Sequence, residues 1–545
     1  MKEQGWVYTW ESQAQIPALK LFLFNPCLNN HPLPDLCLNP SVHLLPSRGS
    51  LLLSLTFCLR GSSSRRVELV VPSPSAVLID PDVPPSFRVL HDHFEVRLSL
   101  LLPVDHPVVH DLRRMMMADE DDSFWHSDVK SLSSKGSVDF YCRNCSTKLT
   151  SQPICHFIEM PSVNWQEAAD NWFGSCCCSF GGVSEKLVNR YSMSHACTKG
   201  KCFLNSTTLI ISKDDLLGFE FLEMQRGSQN NNQLILDSNN NSSEVIPDFF
   251  CGPGAGITCH HLLNSTHEMT NGRASASDFF EKEMTENDKA VCCYHGSHSI
   301  CEQKTAANCN FESTRNDIRD CNVAKQVAVP LNKKHFLNGF LGDVFMTRSY
   351  NLSSDVKWVD LSCPKCSVLL GAYPSTDGCD PLDGGIRFIK CYISTDLPVG
   401  RAGDIFKNYT LERMFSNKIL ESAHDELSFR SIIRDLKTKS PSLQIVLLNP
   451  NCWLSTGHCL TSDSTHGNSP NPGLEPAIKF LFDNCSDQES KSRLTEEWVV
   501  RNQADEVHML PQQIKELSEF LASRKSAFPP SVACIQGSAL SYARR

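Results

Sequence analysis

Apolar residues in the first hundred positions come in short runs, 42–45, 51–59, 67–71 and 94–102, broken by Pro, Ser and Gly. Within the last run Phe94-Glu95-Val96-Arg97-Leu98-Ser99-Leu100 alternates strictly, the period of a strand with one wet face. The pattern predicts a β-rich N-terminal domain over residues 1–117, a small sandwich or barrel. The acidic stretch 119–122, behind Met115, Met116 and Met117, reads as a solvated linker.

A different pattern starts at residue 138. Cys142 and Cys145 form a C-x-x-C pair, and Asn164 with Glu167 three positions on marks a helix start that Gly174 ends. Trp165, Ala168, Ala169 and Trp172 would share one face of that helix, as core packing or as a partner groove. Residues 138–224 are thus a first zinc-knuckle module. Residues 225–335 turn polar, with Asn runs at 230–232 and 239–241 and no apolar period, and are expected to be a flexible insertion. The insertion's Cys251, Cys259, His260, His261, Cys292, Cys293, His295, His298 and Cys301 fit no closed zinc spacing.

Residues 336–400 carry a second pair, Cys363 and Cys366. Residues 401–545 then read as an α+β lobe. Helical periodicity runs over 411–436 through Phe415, Ile419, Leu420, Leu427, Ile432 and Ile433; strands are expected at 443–448 and 477–482, and an amphipathic helix at 512–524 behind Pro511. The fold class is therefore α+β with several lobes.

Composition narrows the partners. The chain has 545 residues, enough for roughly two to four lobes. Acidic residues outnumber basic ones 61 to 51 and no basic run stands out, which speaks against nucleic acid and for protein partners. Residues 1–38 have neither a basic region nor a clean apolar core, so no signal peptide is expected, and the longest apolar run, 51–59, is too short to span a bilayer. The expected compartment is the cytoplasm, with the nucleus as a second. Sequons at Asn205, Asn264, Asn351 and Asn408 are then chance matches. In a reducing compartment the 26 cysteines are metal ligands, small buried hydrophobes or nucleophiles rather than a disulfide framework.

The two C-x-x-C pairs lie in an internal repeat. Residues 138–149 align without gaps to 359–370, sharing Val, Asp, both Cys, Ser and the final Leu. Two residues between thiolates let the chain turn tightly, so that both sulfurs meet one tetrahedral zinc. Each pair supplies half of a four-coordinate site. One solution is a shared site of Cys142, Cys145, Cys363 and Cys366, clamping segments more than two hundred residues apart. The other is two sites, the first recruiting from Cys176, Cys177, Cys178, Cys197 or Cys202, the second from Cys379 or Cys391. A thioredoxin-like redox pair is disfavoured, because neither C-x-x-C opens a helix in a βαβ pattern.

The series Phe140-Tyr141-Cys142-x-x-Cys145, Pro161-Ser162-x-Asn164-Trp165, Trp172, Cys176/Cys177, Cys202-Phe203 and Cys363-x-x-Cys366-x-x-x-Leu370-Gly371 resembles the HECT-like ubiquitin-conjugating-enzyme-binding proteins, which act as ubiquitin-protein ligases. The resemblance implies a conjugating-enzyme docking segment here, comprising Cys363, Pro364, Lys365, Cys366, Leu370 and Gly371, and a HECT-like portion over 401–545. It further implies ubiquitin and a protein substrate as partners, a cyclin among the client classes. Covalent transfer would need a thiolate that accepts ubiquitin from the conjugating enzyme's thioester. The C-terminal candidates are Cys452, Cys459, Cys485 and Cys534; Cys485, just after the 477–482 strand, is the first choice, and Cys452, expected in a loop after a strand, the second. The alternative function is a non-enzymatic, zinc-stabilised adaptor that binds a conjugating enzyme and a client.

Overall fold

The computed structural model describes residues 5–28, 32–47, 50–59, 65–75, 77–116, 127–160, 197–221, 343–349, 352, 355–459, 473–485 and 489–545. The helix expected at 164–174, the cysteines at 176–178, the linker 119–122 and the insertion 225–335 lie outside them.

Strands β1 (Val7–Gln13) and β2 (Ala18–Phe24) open the chain, followed by β3 (Cys37–Ser47), β4 (Ser50–Leu59), β5 (Arg65–Pro72), β6 (Ser86–Val89) and β7 (His93–Ser99). Helices α1 (Pro107–Met116) and α2 (Asp128–Ser134) lead to β8 (Tyr141–Cys142), β9 (His156–Glu159), β10 (Lys201–Leu204) and β11 (Thr208–Ser212). Beyond residue 342 come β12 (Thr347–Arg348), β13 (Lys357–Ser362), β14 (Leu369–Ser375), β15 (Gly385–Ile389), β16 (Ile393–Ser394) and helix α3 (Leu411–Asp425). The chain then runs through β17 (Arg430–Asp435), β18 (Pro441–His458), β19 (Glu475–Asn484), α4 (Glu489–Val500), β20 (Asp505–Met509), α5 (Pro511–Arg524), β21 (Cys534–Ile535) and β22 (Ser538–Arg544).

Two sheets each combine early and late strands. An 11-stranded sheet has the order β12-β20-β17-β18-β1-β2-β7-β6, with β19 between β18 and β22, and β21 on β22. In it β1 runs antiparallel to β18, Gln13 opposite Cys452. A 6-stranded sheet has the order β13-β14-β15-β11-β10-β9, joined across the sequence gap by β11 and β15, Thr208 opposite Ile389. Strands of the 1–117 region and of the 401–545 region therefore share hydrogen-bonded ladders. The meander β3-β4-β5 stands as a third sheet, tied in where the fully buried Trp10 donates its indole N–H to the Pro72 carbonyl at 3.0 Å. The architecture is α+β, mixed sheets with few helices, and among the described residues no helix is long and apolar enough to cross a membrane.

Local pattern found several elements and misread others. In β7 the alternation holds: Phe94, Val96 and Leu98 are buried, and Arg97 faces out. Helix α5 includes Pro511, one residue before the expected start at 512, since proline lacks an N–H that a first turn would leave unpaired. The helical period over 411–436 breaks in two. Helix α3, capped by the Thr410 hydroxyl, ends at Asp425, and Ile432 and Ile433 are buried in β17. Two adjacent β-branched residues fit a central strand better than a helix. The strand expected at 443–448 continues to His458, because register shifts around Asn449 absorb the Asn449-Pro450-Asn451 turn signal as bulges. Cys452 thus lies in a strand, not in a loop. Strands β1 and β2 went unread because β1 buries Thr9, Glu11 and Ser12 beside Tyr8 and Trp10 and so shows no alternation.

Candidate metal centre

The repeat seen in sequence is repeated in three dimensions. In the first knuckle the Cys142 amide donates to Thr147 O at 2.8 Å and the Ser146 amide to Cys142 O at 2.9 Å. In the second the Cys363 amide donates to Val368 O at 2.8 Å and the Ser367 amide to Cys363 O at 2.9 Å. Ser146 and Ser367 both take φ 59°, the left-handed conformation that closes the turn behind the second cysteine. The same turn aims backbone N–H groups at sulfur: those of Asn144 and Cys145 at Cys142, those of Lys365 and Cys366 at Cys363.

The two knuckles face each other. Cys142 Sγ lies 3.7 Å from Cys366 Sγ, and Cys145 Sγ lies 3.6 Å from Cys363 Sγ. All four sulfurs fall within 4.8 Å of one another. Zinc–sulfur bonds of about 2.3 Å place the sulfurs of a tetrahedron roughly 3.8 Å apart, so the four residues fit one metal ion. Soft thiolate donors in that geometry select zinc or iron. Among the described residues this is the one group of His, Cys, Asp or Glu side chains placed to hold a metal. Cys202, buried in β10, stands outside it, as do Cys197, Cys379 and Cys391; Cys177 is not among the described residues.

Electrostatics divides each knuckle the same way. The inner thiols Cys142 and Cys363 are buried, which raises their pKa, to about 12 for Cys142, against the knuckle amides that lower it. The outer thiols go down. A hydrogen bond from the Asn144 side chain, then the Val368 amide, holds Cys366 at about 6. Cys145 is lowered by the Thr147 hydroxyl and amide, which outweigh an opposing burial effect. A cluster that stabilises thiolates in its outer half without metal is half prepared for a cation.

Neighbouring cations that the spacing did not signal lock the first knuckle to the chain after the second. Arg143, inside the first C-x-x-C, donates its backbone N–H to Tyr392 O at 3.0 Å and its guanidinium to Tyr409 O at 2.6 Å and to Phe406 O. Lys390, 1% exposed, pairs with Asp128 at 2.5 Å and lies 4.7 Å from the Tyr409 ring centre. Burial pulls the Lys390 pKa down and Asp128 opposes the shift. Long-range contacts of this kind leave no periodic trace in a sequence.

The implied docking segment splits by exposure. Pro364 and Lys365 form the exposed tip of the second knuckle. Leu370 is wholly buried, and a Cβ on Gly371 would overlap the Arg387 carbonyl, so these two hold β14 against β15. Beside Pro364 lies the turn at Leu217 and Gly218. Leu217 is 48% exposed, and its amide donates to Leu149 O at 2.9 Å at the end of the first knuckle.

The C-terminal thiols are placed differently. Cys452 is 1% exposed, its Sγ donates to Ala477 O at 3.2 Å, and burial pushes its pKa up to about 12. Cys485 directly follows β19, 5% exposed, with its Sγ 4.0 Å from the Thr495 hydroxyl. Cys459 is raised to about 12 by burial, and Cys534 is exposed in β21. Among the described residues, none of the four belongs to a group of side chains placed to hold a metal, as the knuckle thiols do.

The family model described as HECT-like Ubiquitin-conjugating enzyme (E2)-binding matches residues 59–540, most of the chain. No curated protein and no solved structure matches.

Proposed function

This chain belongs to the HECT-like ubiquitin-conjugating-enzyme-binding family, and from that premise we propose that it is a ubiquitin-protein ligase of the cytoplasm and nucleus. It holds a charged conjugating enzyme and promotes ubiquitin transfer to lysines of a protein substrate. The observation that carries the reading is the family match, which spans both knuckles and the C-terminal region. Cys142, Cys145, Cys363 and Cys366 would hold zinc, whose role with four protein thiolates as ligands would be structural. Conjugating-enzyme docking uses the second-knuckle tip, Pro364 and Lys365, with Leu217 beside it.

A second reading, an adaptor that positions conjugating enzyme and client without a covalent step, is favoured by the burial of Cys452 and Cys485. A transfer thiol must reach a thioester on another protein, and its reactivity follows its thiolate fraction. The deciding experiment incubates the chain with activating enzyme, conjugating enzyme and ubiquitin. A reductant-sensitive ubiquitin adduct on this chain supports the covalent ligase. Conjugating-enzyme binding with neither adduct nor stimulated transfer supports the adaptor, and no binding to any conjugating enzyme defeats both.

A further inference from the structure

The four thiols of the clamp are not equally reachable. Cys142 and Cys363 are buried, 0% and 2% exposed, whereas Cys145 and Cys366 are partly open to solvent. Each outer thiol rests against the inner thiol of the opposite knuckle: Cys366 Sγ lies 3.7 Å from Cys142 Sγ, and Cys145 Sγ lies 3.6 Å from Cys363 Sγ. An accessible sulfur beside a sheltered one is the arrangement of an oxidation-sensitive pair, in which the first thiol is oxidised and the second resolves it. The clamp holds two such pairs, crossed between the knuckles.

The crossing follows from how each knuckle is built. In the first, two backbone hydrogen bonds already close the turn, from the Cys142 amide to Thr147 O and from the Ser146 amide to Cys142 O, and the second knuckle repeats both. Joining Cys142 to Cys145, or Cys363 to Cys366, would force those turns to tighten. The crossed sulfurs are already in contact and need about 1.6 Å of approach to reach the roughly 2.0 Å of a disulfide. Both knuckles also pack on one apolar core with Phe140, Leu149, Leu361 and Leu370, which keeps the sulfurs face to face without help from a metal.

We propose that the clamp is a peroxide-responsive modification site, at which oxidation exchanges the metal for two crossed disulfides, Cys142–Cys366 and Cys145–Cys363. The oxidant is a hydroperoxide such as hydrogen peroxide. An outer thiolate attacks one peroxide oxygen, the O–O bond breaks, and hydroxide leaves a sulfenic acid on sulfur. The inner thiolate of the opposite knuckle then attacks that sulfur and displaces a second hydroxide. Two protons turn both hydroxides into water, so each disulfide takes two electrons from sulfur and consumes one molecule of peroxide. Four sulfurs paired in this way leave no thiolate to ligate a metal. The new bonds span 224 and 218 positions of sequence, so the two halves stay joined after the metal has gone. This goes beyond the proposed function and stands on the cluster alone, whatever the chain docks.

The test treats the zinc-loaded full chain with hydrogen peroxide and follows released zinc with a chromophoric chelator. Remaining thiols are then alkylated, and disulfides are mapped on tryptic peptides without reduction. Trypsin cuts after Arg143 and Lys365, so the two cysteines of each knuckle fall on different peptides. One zinc per chain should be released as Cys142 becomes linked to Cys366 and Cys145 to Cys363. The oxidised, metal-free chain should melt above the reduced, chelated chain, and a thiol reductant with added zinc should restore the starting state. Cys534→Ser, which removes an exposed thiol outside the clamp, should release zinc at the wild-type rate; slower release would place the point of entry elsewhere and overturn the proposal. Disulfides within a knuckle, links to cysteines outside the four, zinc retained while other thiols oxidise, or a chain that binds no zinc each overturn it as well. So does an oxidised chain that melts no higher than the reduced, chelated one, since its halves are then not held. Conjugating-enzyme binding is measured separately, and its failure touches the proposed function alone.

Discussion

The knuckle thiols and the C-terminal thiols use one side chain for opposite ends. At Cys142, Cys145, Cys363 and Cys366 the chain brings backbone amides, a threonine hydroxyl and an asparagine amide to sulfur, and sets four sulfurs within 4.8 Å. At Cys452 it brings a carbonyl oxygen, which can only accept, and surrounds the thiol with Leu454, Leu540 and Tyr542. Without metal, the first environment stabilises the thiolate only at its outer pair, Cys145 and Cys366, while burial keeps Cys142 and Cys363, like Cys452, as thiols. Burial alone does not separate them, since Cys142 is as buried as Cys452. The donors pointed at sulfur and the proximity of other sulfurs do.

The largest test of that contrast removes one ligand from each half. Cys142→Ser and Cys363→Ser should each abolish the same single metal equivalent, and the double variant should be scarcely worse than either, because ligands of one site act as a unit. Apparent binding energies of structural zinc reach about 10–16 kcal/mol, so the loss should lower the melting temperature steeply, as chelation should in the wild type. Metal content by atomic emission beside thermal melts reads both. Two equivalents lost in additive steps would mean separate sites and break the shared clamp.

The clamp was legible in the sequence and its surroundings only in part. C-x-x-C is local chemistry, and the repeat of residues 138–149 at 359–370 announced that two half-sites needed each other. What local pattern cannot carry is the partner across the sheet. Cys452 passed for a loop residue because the chain around Pro450 reads as a turn, whereas pairing with both β1 and β19 keeps it extended. Leu370 and Gly371 passed for docking residues because they adjoin the second knuckle, while β15, which makes them core, lies more than ten residues on. Lys390 and Arg143 needed contacts from Asp128, Phe406 and Tyr409 before they meant anything.

A smaller effect, of opposite sign in the two regions, comes from pH. Cys452 has a folded pKa near 12, above its unfolded value, so its contribution is complete below about pH 9 and lost as pH rises towards 12. Cys452→Ala should cost about 1–2 kcal/mol at neutral pH for the lost sulfur and its cavity. That penalty should shrink above pH 9, read by urea denaturation. Cys366, held at about 6, behaves the other way in chelated protein: its contribution is present above the unfolded pKa and lost as pH falls from about 9 through 6. A Cys452→Ala penalty that grows with alkalinity would show that the thiol ionises in the fold and is not the inert one described here.

The smallest effect tests whether the knuckles are equivalent. Ser146 and Ser367 share φ 59° and the same amide-to-carbonyl bond back to the first cysteine of their knuckle. A left-handed conformation costs an L-residue roughly 1–2 kcal/mol, which glycine avoids while losing about 0.4–1 kcal/mol through its freer unfolded chain. Ser146→Gly and Ser367→Gly should therefore each change stability by roughly 0–1.6 kcal/mol, in the stabilising direction, and by amounts equal within error. Both should keep the metal, since neither serine touches it. Equal small gains in denaturant midpoint at unchanged slope would mean that two turns more than two hundred residues apart carry the same strain for the same purpose. A gain at one position beside a loss at the other would mean that the backbone repeat does not extend to its energetics, and that one knuckle leads the assembly of the clamp.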